Sequence, residues 1–137
     1  MTRKVLLDTN VYIGWLNGGL HADLLLGPGL ARYLSAVVAM ELGVGARLLP
    51  ARRALDQLVR AYQAGGRVVV PDAQVFDRAG RVLQRMRDDG RETRRASLVN
   101  DVLIALSARS IGATVVSADA DFEVIETVVD FKLELIR

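Results

Sequence analysis

Two acidic residues stand where a parallel sheet would bring functional side chains together. Asp8 comes directly after the apolar segment at 5–7, and Asp119 stands two residues after the segment ATVVS at 113–117. Open α/β sheets bind ligands beyond the carboxyl ends of their strands, where the strand order reverses. Either carboxylate could instead cap the helix that follows it by accepting free amide hydrogens. Asp72, after VVVP, shows how readily such caps occur.

Two further acids, Glu41 and Asp101, fall on the apolar faces of predicted helices. On a helix over 36–48, Glu41 shares a face with Val37, Val38, Val44 and Leu48. On a helix over 97–110, Asp101 lies beside Leu98, Ile104, Ala105 and Ala108. A buried carboxylate is costly unless it is paired or bound to a cation. The alternatives are a buried ion pair with an arginine, or a helix that begins near Asn100 with Asp101 as its cap.

Four acids that point toward one end of the sheet repel one another, and this repulsion calls for a cation. The chain has no cysteine and a single histidine, His21, which we expect on the solvated surface of a loop between Gly19 and Gly27. Ligation by oxygen alone suits Mg²⁺ or Mn²⁺ better than zinc. One or two such ions would acidify a bound water and neutralise charge on a transferring phosphoryl group.

The elements that must position these acids alternate between short β-branched segments and longer helical patterns. The predicted strands cover 4–7, 31–35, 67–70, 113–117 and a segment within 128–136. The predicted helices cover 11–16, 36–48, 51–64, 73–87, 97–110 and 121–126. Strands that alternate with helices imply parallel crossovers, so the sequence predicts an α/β three-layer sandwich with helices on both faces of the sheet.

Length and composition indicate one globular domain over 1–137. Hydrophobic residues make up 51% of the chain and charged residues 25%, which lies within the globular range. No apolar run approaches the length needed to cross a bilayer, and the segment at 5–7 is too short for a signal peptide. Together with the lack of cysteine, these features predict a cytoplasmic protein without membrane association.

Arginine dominates the basic residues, and the window 78–95 carries a net charge of +4. Guanidinium groups match phosphate oxygens with a two-pronged geometry. The candidates for contact with an RNA backbone are Arg78, Arg81, Arg85, Arg91, Arg94 and Arg95. The alternative is a solvated helix face with local ion pairs.

Three segments that contain four acidic motifs in order resemble a known family. The segments LLDTNVYI, SAVVAMELGVGA and LVNDVLIALSARSIGATVVSADADF, and the spacing between them, resemble PIN-domain ribonucleases, specifically the VapC-type toxins of bacterial and archaeal toxin–antitoxin pairs. The similarity extends over nearly the whole chain. It implies a parallel sheet of about five strands in the order 3-2-1-4-5, with the reversal between the strands that precede Asp8 and Asp119. Asp72 follows an outer strand and is excluded from the site.

The resemblance also assigns roles to individual residues. It makes Asp8, Glu41, Asp101 and Asp119 the acidic quartet that holds Mg²⁺ or Mn²⁺, with Asp8 and Asp101 as the most dependable direct ligands. Asn10 and Ser117 match small polar positions beside the site, and Asp121 with Phe122 matches a DF pair that commonly follows it. The fourth acid varies within the family, so either Asp119 or Asp121 could reach the ion or its water shell.

The predicted function is metal-dependent endonucleolytic cleavage of RNA by in-line attack of a metal-activated water. The resemblance further implies a small antitoxin that docks beside the site and inserts a basic side chain toward the acids, and a homodimer. One alternative is a nucleic-acid-binding module without catalysis. Another is a small-molecule phosphohydrolase, which is disfavoured because Asp8 is not part of a DxD pair and the chain has no GxxxxGK[ST] phosphate loop.

Overall fold

A computed structural model describes residues 2–137, so Met1 of the predicted domain lies outside the described residues. The strands are β1 (Arg3–Leu7), β2 (Leu30–Ser35), β3 (Val68–Val69), β4 (Thr114–Ser117) and β5 (Lys132–Leu135). The helices are α1 (Thr9–Gly18), α2 (Ala22–Leu26), α3 (Ala36–Gly45), α4 (Leu49–Ala64), α5 (Ala73–Asp88), α6 (Ala96–Ser110) and α7 (Asp121–Glu126).

All strand pairs in the sheet are parallel, and the order is β3-β2-β1-β4-β5. Helices cover both faces, so the predicted three-layer α/β/α sandwich and its strand order are confirmed. The order reverses between β1 and β4, which pair with Val5 opposite Thr114 and Leu7 opposite Val116. The loops that follow these two strands therefore meet at the switch point of the sheet, where a ligand site is expected.

The core is centred on β1, β4 and α6. Val5, Leu6 and Leu7 are fully buried, as are Val115 and Val116, because helices cover both sides of these central strands. All residues of α6 from 101 to 108 are buried. A carboxylate within this stretch, Asp101, is therefore placed in the interior of the protein.

One short helix is not predicted from the sequence, and another ends earlier than predicted. The predicted loop around His21 contains α2, which is only five residues long; His21 precedes it with a left-handed backbone (φ 61). The imidazole is half-buried against Gly14, not fully solvated as predicted, since a Cβ at Gly14 would lie 3.3 Å from its Cδ2 atom. The helix α3 ends at Gly45 and not at 48.

Two aromatic side chains on the helices have different environments. Tyr12 in α1 is fully buried, and its hydroxyl forms a 2.9 Å hydrogen bond with the hydroxyl of Tyr62 in α4. Phe76 in α5 is 56% exposed. Within residues 2–137, no helix is long and apolar enough to cross a membrane.

Candidate active site

The two carboxylate oxygens of Asp8 have different partners. Oδ1 accepts a 2.8 Å hydrogen bond from the Thr9 amide, so Asp8 does cap α1. Oδ2 accepts a 2.7 Å bond from the Ser117 hydroxyl and a 3.1 Å bond from the Asn10 side-chain amide. The structure therefore brings both predicted supporting residues, Asn10 and Ser117, into direct contact with Asp8.

Asn10 and Ser117 also hold the loop after β4 in place. The Asn10 amide donates to Ser117 Oγ at 3.1 Å, and Asn10 Oδ1 accepts from the Ala118 amide at 3.1 Å. Ser117 Oγ further accepts a 3.0 Å bond from the Asp119 amide. This network ties the segment that carries Asp119 to the end of β1.

Glu41 is half-buried and is held by residues on two other helices. Its Oε1 accepts a 2.7 Å hydrogen bond from the Thr9 hydroxyl, and its Oε2 accepts a 3.4 Å bond from the Asn100 amide. The apolar face predicted for this helix is correct at Val37 and Val38, which are buried, but wrong at Val44 and Leu48, which are 79% and 74% exposed. The helix α3 ends at Gly45, so Leu48 lies beyond it.

Asp101 is 5% exposed and lies within α6, which begins five residues earlier at Ala96. The alternative in which Asp101 caps the helix is therefore wrong. The alternative of a buried ion pair is also wrong, since no salt bridge within residues 2–137 involves Asp101. Its Oδ2 atom is buried and has no hydrogen-bond partner among the described residues. A buried carboxylate oxygen without a partner is rare in native proteins and points to a missing ligand.

Asp119 and Asp121 complete the acidic group. One carboxylate oxygen from each of Asp101, Asp119 and Asp121 lies within 4.8 Å of the other two. Asp119 Oδ1 accepts a 2.9 Å bond from the Asp121 amide, and Asp121 Oδ2 lies 3.7 Å from Arg95 Nη2. The structure thus places both candidates for the fourth acid beside Asp101.

The two most buried acids, Asp101 and Asp8, have raised pKa values. Burial raises the pKa of Asp101 to about 8, with further contributions from the negative charges of its acidic neighbours, Asp8 first and then Asp119. Burial also raises the pKa of Asp8, and the hydrogen bond from Ser117 opposes this shift. A proton or a cation is therefore required to neutralise the group at neutral pH.

The donor set fits a hard divalent cation. The acidic residues here offer only oxygen as a ligand atom, and Asp101 Oδ2 has no hydrogen-bond partner within residues 2–137. Mg²⁺ and Mn²⁺ prefer carboxylate oxygen and water, and the half-buried Asp119 and Asp121 leave one side of the group open to water. The residues present are therefore consistent with the expected metal.

The structure divides the predicted arginine window into separate groups. Arg91 and Arg95 line a cleft with Asp121, next to the acids. Arg94 is exposed and makes two 3.2 Å contacts with Glu92, and its hydrogen bonds lower the pKa of Glu92 to about 2. This pair matches the alternative of a solvated face with local ion pairs.

The remaining candidates lie on the helix α5. Arg78 and Arg81 line a different cleft, beside the last turn of α6. Arg85 is exposed on the same helix.

Sequence patterns missed two polar residues of the site and one surface beside it. Thr9 and Asn100 orient Glu41. The only signal for them in the sequence is their position, since Thr9 follows Asp8 and Asn100 precedes Asp101. The surface is an apolar groove of about 320 Å³ between α1, α3 and α4 that borders Glu41. Its apolar lining comes from Ile13, Leu16, Leu42, Ala46, Ala51, Ala54 and Leu55.

Several solved structures have a similar fold, and one of them, VapBC-5, is described as a member of the VapBC family of toxin-antitoxin systems. VapBC2 from Rickettsia felis, bound to a DNA fragment from its promoter, has a TM-score of 0.72 at 20% identity, covering 98% of this chain and 99% of that chain. VapBC-1 from nontypeable Haemophilus influenzae has a TM-score of 0.70 at 23% identity, with 96% and 97% covered. VapBC-5 from Mycobacterium tuberculosis has a TM-score of 0.64 at 25% identity, with 98% of both chains covered.

A family comparison agrees with the fold and with the resemblance seen in the sequence. No curated protein sequence matches the chain significantly. The family model of the PIN domain matches residues 5–127, a range that includes all five acids of the site. The chain therefore belongs to the PIN domain family.

Proposed function

We propose that this protein is an Mg²⁺- or Mn²⁺-dependent endoribonuclease and the toxin component of a VapBC-type toxin–antitoxin pair. The observation that carries the proposal is the buried Asp101 carboxylate, which lies among other acids and whose Oδ2 has no hydrogen-bond partner within residues 2–137. An arrangement of this kind is stable at neutral pH only when a proton or a cation neutralises the carboxylate, and a divalent cation can neutralise several of the acids at once. Membership of the PIN family supports the proposal that this cation serves a nuclease reaction.

Each residue has a definite part in this proposal. Asp8 and Asp101 are the direct ligands, and Glu41, Asp119 and Asp121 complete the negative field or bind water around the ion. When bound, the metal would acidify a water molecule and offset the charge that develops on the phosphodiester. Asn10 and Ser117 fix the orientation of Asp8, as Thr9 and Asn100 fix that of Glu41.

Contact with the substrate falls to the arginines that lie next to the acids. Arg91 and Arg95 line the cleft that contains Asp121, so their guanidinium groups can bind phosphates next to the scissile bond. Arg95 also lies 3.7 Å from Asp121 Oδ2. Arg95 thus connects the acidic group to the surface on which an RNA backbone would lie.

The proposed partner is a small antitoxin that occupies the apolar groove beside Glu41. Ile13 and Leu16 line this groove and are 44% and 46% exposed, so the isolated chain presents apolar surface to water at this place. Burial of such surface favours association with an apolar segment of a partner. Because the groove borders Glu41, a basic side chain on the same segment would reach the acids and block the site.

The proposed assignment also includes a homodimer and a cytoplasmic location. The homodimer remains a prediction, and light scattering should give twice the mass of one chain, whereas a strict monomer would contradict it. The cytoplasmic location rests on the lack of cysteine, which suits a reducing compartment.

The alternatives explain the site less well. A nucleic-acid-binding module without catalysis needs basic surface but gains nothing from a buried, unpaired carboxylate, which costs free energy of folding. A small-molecule phosphohydrolase would need an enclosed polar pocket for its substrate. The acids instead adjoin the open cleft lined by Arg91 and Arg95, which suits a polymer better than a small molecule.

Incubation of the purified protein with total cellular RNA, followed by mapping of new 5′ ends, tests this proposal. Cleavage is expected with Mg²⁺ or Mn²⁺ and should stop in excess EDTA. Asp8→Asn and Asp101→Asn should abolish cleavage, whereas Asp72→Asn, a matched change at the cap of α5, should retain it. Cleavage by the wild type in excess EDTA would contradict the metal role. Release of phosphate from nucleotides with RNA intact would favour the phosphohydrolase.

A further inference from the structure

A second cleft, which is positively charged, lies between the first half of α5 and the last turn of α6. Its volume is about 570 Å³, and Arg78, Arg81 and Arg109 line it together with one acid, Asp77. Arg109 lies outside the arginine window that the sequence singles out. The four charged side chains give the cleft a net charge of +2.

Local ion pairs do not neutralise this cleft. Asp77 lies 3.4 Å from Arg81, but the two side chains are 69% and 79% exposed, so solvent screens the pair. Arg78 and Arg109 form no salt bridge and no side-chain hydrogen bond within residues 2–137. The negative end of α6 stabilises Arg109 in its last turn, but this effect does not account for Arg78 on a different helix.

The packing of α5 against α6 connects this cleft with the acidic site. The beginning of α5 lies beside the end of α6, whereas Met86, near the end of α5, lines the other cleft with Leu98 and Asp121. The two helices are therefore antiparallel, with one arginine-lined cleft toward each end of the pair. Arg78, Arg81 and Arg85 share one face of α5, because they are spaced by three and four residues.

The distance between the metal site and the second cleft suits one nucleic-acid strand. Asp101 and Arg109 are eight residues apart on α6, which corresponds to about 12 Å along the helix axis. A stacked strand advances about 3.4 Å per nucleotide, so the second cleft lies about four nucleotides from the metal site. Three guanidinium groups around one cleft provide several two-pronged donors for a phosphate.

We infer that the cleft of Arg78, Arg81 and Arg109 is a second phosphate-binding site, which holds the RNA backbone about four nucleotides from the scissile bond. This inference rests on the proposed ribonuclease function and extends it from the cleavage point to the bound length of the substrate. It also divides the arginines by role. Arg91 and Arg95 act beside the metal site, and Arg78 and Arg109 act on a phosphate farther along the strand.

Binding of labelled oligouridylates of about four and about twelve nucleotides tests the inference. Fluorescence anisotropy is measured over a range of salt concentrations in an Asp101→Asn background, so that the probes stay intact. The test variant is Arg78→Gln/Arg109→Gln. The matched control is Arg53→Gln/Arg60→Gln, which removes two exposed arginines from α4.

The test variant should bind the long probe about tenfold more weakly, with a salt slope smaller by about 1, because it lacks one or two phosphate contacts. Its affinity for the short probe should equal that of the control. An equal loss in test and control variants, an equal loss for both probes, or no loss would overturn the inference. These outcomes do not depend on cleavage, so total RNA that stays intact with the wild type would contradict the nuclease proposal separately.

Discussion

The hydroxyl of Thr9 donates a 2.7 Å hydrogen bond to Oε1 of Glu41. Thr9 directly follows Asp8 in the chain, and its backbone amide donates a hydrogen bond to Asp8 Oδ1, the bond by which Asp8 caps α1. One residue at the start of α1 therefore contacts the carboxylates of both Asp8 and Glu41. The relative positions of Asp8 and Glu41 depend on this residue.

Replacement of Thr9 by valine should uncouple Glu41 from α1 while the shape of the side chain is kept. We expect cleavage of RNA to fall about 10-fold to 100-fold, as for other residues that orient metal-binding side chains. The free energy of unfolding should fall by only about 1 kcal/mol. Thr9→Ser should restore activity because it keeps the hydroxyl.

Thr127→Val is the matched control for this change, since the Thr127 hydroxyl bonds only to Val124 O on the surface. It should leave cleavage unchanged. Wild-type cleavage by Thr9→Val would show that Glu41 needs no such support.

Replacement of Asp101 by asparagine should lower activity but raise the stability of the metal-free protein. The amide keeps the shape of the side chain but removes the charge that makes the buried group costly. We expect cleavage to fall by more than about 100-fold, while the melting temperature of the EDTA-treated variant at pH 8.5 exceeds that of the EDTA-treated wild type. A variant that is both inactive and less stable under these conditions would indicate that Asp101 is structural.

The difference in stability between the EDTA-treated wild type and Asp101→Asn should depend on pH in a defined direction. The pKa of Asp101 is raised to about 8 from an ordinary value of 3.8, so the folded state retains a proton that the unfolded state releases. The wild type therefore loses stability relative to the variant as the pH rises from about 4 to about 8, and the difference is constant above that range. Thermal melts across this range measure it.

Divalent metal supplies the control for the pH experiment. Added Mg²⁺ or Mn²⁺ should reduce the difference, most strongly at high pH, because metal and proton compete for the same carboxylates. A difference between the two proteins that does not change with pH would contradict the raised pKa.

Replacement of Ser117 by alanine should shift the pH dependence of cleavage. The Ser117 hydroxyl donates to Asp8 Oδ2 at 2.7 Å and lowers the pKa of Asp8 against the effect of burial. Its loss should raise the pKa of Asp8 further, so the acidic limb of the rate profile moves to higher pH. The measurement is the initial rate of RNA cleavage between pH 5 and pH 9, taken at intervals of about one pH unit.

Ser107→Ala provides the matched control for Ser117. Ser107 is equally buried, but its hydroxyl donates to Leu103 O within α6, away from the acids. Both variants should lose stability by about 1 to 2 kcal/mol. Only Ser117→Ala should move the acidic limb, and an unchanged profile for this variant would contradict the role assigned to Ser117.

Sequence patterns predict the sheet well because its central strands β1 and β4 contain short apolar, largely β-branched segments. They also place Asp101 correctly, since its neighbours along the helical face are apolar throughout. The short helix α2 was missed because five residues contain little more than one turn, too few for periodicity. The end of α3 was placed too late because Val44 and Leu48 continue the apolar pattern although the surface there is exposed.

The parts of the site that the sequence does not specify depend on side-chain direction and on packing between helices. Thr9 and Asn100 stand next to predicted acids, but nothing in their spacing shows that both bond to Glu41. The division of the arginines likewise follows from the antiparallel packing of α5 and α6, which brings Arg109 to Arg78 across 31 positions of the chain. Contacts of this kind become visible only in the folded structure.

The bond between Asp8 and Ser117 joins positions that are 109 residues apart. The ribosome makes β1 well before its neighbour β4. A domain of this size folds as a unit, so a nascent chain that stops before β4 carries Asp8, Glu41 and Asp101 without a pocket to hold them. Only a chain that includes β4 can therefore assemble the acidic group.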